Sequence, residues 1–285
     1  MTATEQAPEL AHLIVAHHQP AHLGRMIRVM QHPGAAFFVH VDAKTPLAPF
    51  TSAVPRDADV TFLDQRLTVG WGDISLTRAV LKLLRTAVAT GRRFRYFINL
   101  SGADYPIKPA RAIHAALGRS TQEFLRIDRR LALGPDAPFK HLEKLRDGRF
   151  YGDLTPWQGS MHWALTADCV RMVLDFADAS PGYLELLAPT SCPEEVFFHS
   201  IIKRSRFAGA IAQDYSERQP AEHTHHGVHF IDWQGLRPRQ LRLNLDMRDF
   251  GELMASPALL ARKFDERESR DLLGTLDQVV HGAHW

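Results

Sequence analysis

The first hundred residues alternate short, continuously apolar runs with amphipathic stretches, and that alternation confines the chain to few folds. "AHLIVAHH" (11–18) is an apolar run with a polar end, "PAHLGRMIRVMQH" follows with helical spacing, and "AAFFVHVD" (35–42) is a second apolar run that stops at Asp42. Strand, helix, strand is the pattern of a parallel βαβ unit, whose buried strands read as unbroken apolar runs. "ADVTFLD" (58–64) predicts a third strand, "ISLTRAVLKLLRTAVATG" (74–91) a long helix closed by Gly91, and "FRYFINLSG" (94–102) a fourth strand. The predicted fold class is therefore α/β, with a mostly parallel central sheet flanked by helices on both faces. Ligands of such sheets collect at the carboxyl ends of the strands, which brings forward His17, His18, Asp42 and the "SGADYPIKP" after the fourth strand.

The second half is less regular. "DCVRMVLDFADA" and "EEVFFHSIIKRS" read as helices, "VHFIDW" as a strand, and "PALLARKFD" as a short helix with a basic end. The expected organisation is a disordered 1–10, one domain over 11–266 with a nucleotide half to about 125 and an acceptor half from about 126, and a helical tail over 267–285. With 34 basic and 32 acidic side chains, net +2, the chain has no broad footprint for nucleic acid. Cys169 and Cys192 are the only cysteines, so no disulfide framework or paired-cysteine metal site is expected, which fits a reducing compartment. The N-terminus is polar, and no stretch of 18 or so uninterrupted apolar residues follows it. A cytoplasmic protein is the simplest expectation.

"PTSCPEEVFFHS" (189–200) sets Glu194 and Glu195 side by side at the edge of an apolar run. Acidic residues in the first turn after a proline suit the helix dipole, which accounts for Glu194. A carboxylate shielded by Val196, Phe197 and Phe198, with an acidic neighbour, has its pKa raised toward the range of a general base, which is the role open to Glu195.

"IVAHHQP", "VHVDAK", "WGDISLTRAVLKLL", "YFINLSGADYPIKP", "GSMHWALT", "CPEEVFFHSII", "IDW" and "ARKFD" occur in this order. As a set they resemble the core-2/I-branching glycosyltransferases, which include β-1,6-N-acetylglucosaminyltransferases and peptide O-xylosyltransferases. The resemblance covers about residues 11 to 266. It implies a GT-A type fold and an inverting, metal-independent transfer of N-acetylglucosamine or xylose from a UDP-sugar to an acceptor hydroxyl. By the same resemblance Glu195 stands at the position of the catalytic base, Val15 and Asp42 contact the nucleotide, and Lys263 binds the diphosphate with an upstream arginine. Arg239 is the choice for that arginine, with Arg237 and Arg242 close enough to be mistaken for it, and Arg262 is read as a solvated neighbour.

No cofactor is expected, because fixed cations can stabilise a leaving diphosphate where other enzymes use a metal. The one Asp-x-Asp, "DAD" (57–59), precedes a strand rather than following one. His223, His225, His226 and His229 in "HTHHGVH" are dense enough to suggest zinc, yet lack cysteine partners or helical ligand spacing. On the substrate side stand Asp104, Lys108, Trp71, Trp163, Trp233 and Glu194. Asp104 is equally suited to bracing its own loop, Trp71 to a packed turn, and Trp163 and Trp233 to the core. The family's usual membrane anchor and disulfides are not evident, which implies a compact bacterial-type version. Its expected acceptor is a glycan or lipid-linked saccharide, leaving peripheral contact with the inner membrane face open. The rivals are a metal-dependent nucleotide-sugar transferase or pyrophosphatase, and an inactive member that only binds glycan.

Overall fold

A computed structural model describes residues 9–133, 150–217, 223–232 and 244–283. Its first strands follow the apolar runs: β1 (Glu9–Ala16), β2 (Ala35–Val41), β3 (Val60–Phe62) and β4 (Phe94–Ser101). The crossovers carry α1 (Pro20–Met30), α2 (Ala48–Ala53) and α3 (Ile74–Ala89), and α3 starts because the Asp73 side chain accepts from the Ser75 amide at 2.7 Å. Next come β5 (Asp104–Pro106), α4 (Ala110–Arg119), β6 (Glu123–Arg130), β7 (Trp157–Thr166), α5 (Ala167–Ala179), α6 (Pro181–Leu187), α7 (Glu194–Arg204) and β8 (Ile211–Asp214). The remaining elements are β9 (His225–His226), β10 (His229–Ile231), α8 (Phe250–Ala255), β11 (Leu260–Arg262) and α9 (Arg270–Leu276).

Seven strands form the main sheet in the order β3-β2-β1-β4-β7-β6-β8, parallel except where β7 pairs with β4 and β6. The expected α/β class and mostly parallel sheet are thus observed, in an arrangement consistent with a GT-A-like fold. From β1 the chain steps to β2 on one side and to β4 on the other, so the carboxyl ends of β1 and β4 form a topological switch point, the place where such sheets open a crevice for ligands. Alternation along β1 feeds two cores: Ala11 and Leu13 face α3, α5 and α7, while Leu10 and Ile14 face α1, α4 and α9. Leu272, Leu273 and Leu276 of α9 are buried in the second core.

A second sheet, ordered β5-β11-β10-β9, was not foreseen. "PALLARKFD" belongs to it and is not a helix: Leu260–Arg262 pairs with β10 on one side and with β5 on the other. Ser256 precedes Pro257 and is extended (φ −67°, ψ 140°), which ends α8 and sends the chain across as a strand.

The β9–β10 turn needs Gly227, whose φ is +62° and whose added Cβ would lie 2.2 Å from the His162 carbonyl oxygen. Gly227→Ala combines left-handed backbone strain with that collision, so it is expected to cost about 3 kcal/mol. Urea unfolding checks this; a loss below about 0.5 kcal/mol would contradict the tight seating of the second sheet on β7.

Candidate active site

The ends of β1, β2 and β4 meet through short loops. Val15, half-buried at the end of β1, accepts from the Gly102 amide at 2.9 Å. A Cβ at Gly102 would stand 2.9 Å from that of Ala16, so glycine is what lets the β4 turn come this close. Asp42 follows β2 and is buried, its Oδ1 accepting from the Lys44 amide (2.8 Å) and its Oδ2 from the Val69 amide (3.2 Å). Lys44 Nζ also stands 3.5 Å from Oδ2, so turn-making is the job these contacts record, and Oδ1 keeps a further lone pair.

The turn after β11 docks on this end. Gln19 Oε1 accepts from the Glu266 amide at 2.6 Å, and Glu266 Oε1 accepts from the His22 amide at 2.8 Å. Lys263 is therefore beside the β1 loop, where the His17 and His18 rings stack at 4.2 Å. Lys263 is half-buried, and burial, then Arg262, lower its pKa while Asp104 partly offsets them.

The segment 66–73 runs from Asp42 to the start of α7. Val69 binds Asp42, Trp71 stands 96% exposed between Gly70 and Gly72, and the Gly72 carbonyl accepts from the Cys192 amide at 2.8 Å. Two residues further on, α7 begins with the glutamate pair. Trp71 is thus an exposed ring and not a packed turn.

Glu195 is half-buried, and its Oε2 accepts from Gln158 Nε2 at 2.9 Å; Gln158 in turn accepts from Arg129 Nε at 2.8 Å. Burial raises the Glu195 pKa, the Gln158 bond opposes this, and Asp128 adds to it. The acidic neighbour acts on the other member of the pair. Glu194 is only 5% exposed, its Oε2 has no hydrogen-bond partner, and burial, with Glu195 and Asp73 nearby, pushes its pKa up to about 7. It stands in the first turn of α7, as the helix dipole favours, but buried.

Asp104 has no exposed surface. Its Oδ2 accepts from the Ser101 amide and its Oδ1 from the Ser101 hydroxyl, both at 2.8 Å. Oδ2 also lies 3.3 Å from His229 Nε2, and Oδ1 3.4 Å from Arg262 Nε. Burial alone would raise its pKa, but Arg262 and His229 outweigh that and hold the carboxyl well below the usual range. Asp104 thus braces its loop and offers no atom to a sugar. Arg262 is likewise not the solvated neighbour expected: it is 9% exposed, with Nη1 3.3 Å from His162 Nδ1. Neither spacing nor motif announced this meeting of β5, β7, β10 and β11.

Asp104, His162 and His229 are close enough to share a cation. Arg262 already fills that role, since a divalent ion about 4 Å from its guanidinium would be repelled by about 8 kcal/mol at an effective dielectric of about 20. The four histidines of "HTHHGVH" separate: His229 joins Asp104, while His226 Nε2 contacts the His223 carbonyl oxygen at 2.9 Å. Asp57 and Asp59 are exposed at the amino end of β3, opposite the crevice, and Asp59 pairs with Arg92.

Two further expectations meet their surroundings differently. Trp163 is fully buried with its ring 5.0 Å from that of Phe198, so it is core and presents no face to a sugar. Lys108 lies past the end of β5 and reaches the Met254 carbonyl at 3.4 Å. Trp233, Arg237, Arg239 and Arg242 lie outside the described residues. No helix among the described residues is long and apolar enough to cross a membrane.

Fold and site define an α/β domain with a topological switch point at the ends of β1 and β4, with Lys263 beside the β1 loop and the Glu194–Glu195 pair at the start of α7. A family model described as "Core-2/I-Branching enzyme" matches residues 10–253, and the chain belongs to that family. It is similar to xylosyltransferase 2 of Bos taurus (25% identical) and to xylosyltransferase 1 of Homo sapiens (27%), each over 96% of this chain but only 34% and 31% of those proteins. The chain spans about a third of the length of these relatives.

Glu194 makes a pH prediction about stability. Its folded pKa is about 7 against an ordinary 4.5, so its protonated form stabilises the fold, fully at low pH and less as pH rises through 7. Glu194→Gln should therefore stabilise the protein at pH 8, by up to about 3 kcal/mol, and have little effect at pH 4. Thermal melts at both pH values check this; equal shifts at both would contradict the assignment.

Proposed function

We propose that this domain is an inverting glycosyltransferase that moves a sugar from a UDP-sugar to a hydroxyl of a glycan or glycoconjugate without a divalent metal. Xylose is the first donor sugar to test, because the relatives above are named xylosyltransferases. Glu195 takes the proton of the acceptor hydroxyl as its oxygen attacks the anomeric carbon. The bond from that carbon to the diphosphate breaks on the opposite face, and the electron pair leaves with UDP.

The observation that carries this reading is the seat of Glu195. Gln158 holds Oε2 at 2.9 Å, Oε1 has no bonded partner among the described residues, and burial raises the group's basicity. A base must bring an oxygen within hydrogen-bond reach of the proton it takes, and Oε1 is open for that. Lys263 meets charge developing on the diphosphate, joined by Arg239; Val15 and Asp42 border the nucleotide, and Trp71 walls the sugar. The His17–His18 stack belongs to the same border. Catalysis without a metal is supported by the position of Asp57 and Asp59 at the wrong end of the sheet and by the Arg262 guanidinium within the Asp104 cluster. The expected acceptors remain glycans or lipid-linked saccharides.

Glu195→Gln is expected to lower transfer by about 10²–10⁴-fold while UDP affinity stays within about twofold. In wild-type enzyme the acid limb of kcat/KM should fall above pH 4.5, since the Glu195 pKa is raised and the base works only when ionised. Transfer assays with UDP-xylose and UDP-N-acetylglucosamine, in EDTA, check both; near-normal turnover by the variant would remove Glu195 from the mechanism.

A further inference from the structure

We propose that Gln158 and Arg129 are positioning residues for Glu195: a one-way hydrogen-bond chain, set by a bulge in β6, that holds Oε2 and leaves Oε1 open to the acceptor hydroxyl. This deepens the functional reading and rests on Glu195 being the base.

In the β6–β7 ladder Ile127 pairs with Gly159 and Arg129 with Gln158, so Asp128 is the extra residue of a bulge. In an unbroken ladder Asp128 would stand opposite Gln158. A carboxylate only accepts, so it would draw the amide nitrogen of Gln158 and leave the amide oxygen facing Glu195, which is repulsive. The bulge puts Arg129 there instead. Its Nε only donates, so the Gln158 atom it meets at 2.8 Å is Oε1, and Nε2 is left to donate to Glu195 Oε2 at 2.9 Å. Asp128 is held aside by Arg126 Nε at 2.6 Å.

The frame around this chain is fixed. His199 Nε2 donates to the Ser160 carbonyl at 2.9 Å and the Trp157 amide to Ser200 Oγ at 3.0 Å, so α7 is pinned to β7 on both sides of Gln158. Gly159 lets β6 and β7 close at the bulge, since a Cβ there would collide with the Arg126 carbonyl oxygen.

The direction of the chain gives it a chemical preference. Both links donate toward Glu195, which suits a carboxylate. A protonated Glu195 finds an acceptor in Gln158 only if the amide turns over, and that would point Nε2 at the Arg129 donor. Burial raises the pKa of Glu195, the Gln158 bond lowers it, and of the charges on β6 Asp128 raises and Arg129 lowers it. Cys192 and Glu194 flank Glu195 in sequence, and Asp73 at the start of α3 bears on Glu194.

The test follows the Glu195 carboxyl carbon by NMR against pH, its signal assigned by loss in Glu195→Gln. Beside it runs cleavage of UDP-xylose or UDP-N-acetylglucosamine, whichever the wild type cleaves, with water as acceptor. Gln158→Leu is expected to move the Glu195 titration up by about one pH unit and to lower cleavage on its pH plateau about tenfold, with UDP affinity within about twofold of wild type. Arg129→Met keeps the aliphatic stem of an exposed side chain and removes the donor. It is expected to move the titration up by about half a unit in the wild-type background, and by less than about half of that beside Gln158→Leu, where only the lost charge acts. An unmoved titration in Gln158→Leu, or equal Arg129→Met shifts in both backgrounds, would overturn the proposal; a merely structural role lowers the melting temperature and leaves the titration in place. Failure of the base reading looks different: Glu195→Gln then keeps its turnover while the shifts remain, and the chain positions no base. If Gln158→Leu does not fold, Gln158→Met takes its place with the same outcomes.

Discussion

A carboxylate with no exposed surface must be answered by donors and cations, and Asp104 is answered by Ser101, His229 and Arg262 from three separate stretches of chain. Leaving such a charge unpaired costs several kcal/mol, so these stretches hold together or come apart together. β4 of the main sheet ends at Ser101 and β5 of the second sheet begins at Asp104. The way the two sheets meet follows from that constraint, since β1 and the turn after β11 both take their places from it.

The glutamate pair obeys the opposite logic. Glu194 and Glu195 are set at the start of a helix, where the dipole favours anions, yet burial works against their ionisation. Gln158 and Arg129 form a short relay from β6 through β7 to Glu195, while Glu194 Oε2 has no such support. The two adjacent carboxyls thus stand in different surroundings: burial raises both pKa values, the Gln158 bond holds that of Glu195 back, and Glu194 is pushed up to about 7. The 66–73 segment ties this pair to Asp42 through the Val69 and Gly72 contacts, so the glutamates and Asp42 belong to one connected frame.

Much of this was legible in the residues. Unbroken apolar runs marked β1, β2 and β4 because strands covered on both faces have no polar side, and the proline-acid-acid-apolar order marked the start of α7. Lys263 was legible through its motif, although the helix assigned to it was wrong: a three-residue strand held by neighbours on both sides has no periodicity of its own. Arg262 looked solvated because its partner Asp104 is distant in sequence. Trp163 stayed open between platform and core because an aromatic in a strand carries no sign of which side is covered. Both cases share a cause, since burial is decided by pairings between segments that local pattern does not encode.

The central claim is that UDP seats where the β1 end, the Gly102 turn and the turn after β11 converge, held by fixed cations alone. Hydrogen exchange of the backbone amides with and without UDP, in EDTA, tests it most directly. The account predicts slower exchange at Gly102, Phe264 and Glu266, whose amides tie these three segments together, and no change around residues 57–59. Protection that develops only after Mn²⁺ or Mg²⁺ is added, or that gathers around residues 57–59 instead, would contradict it.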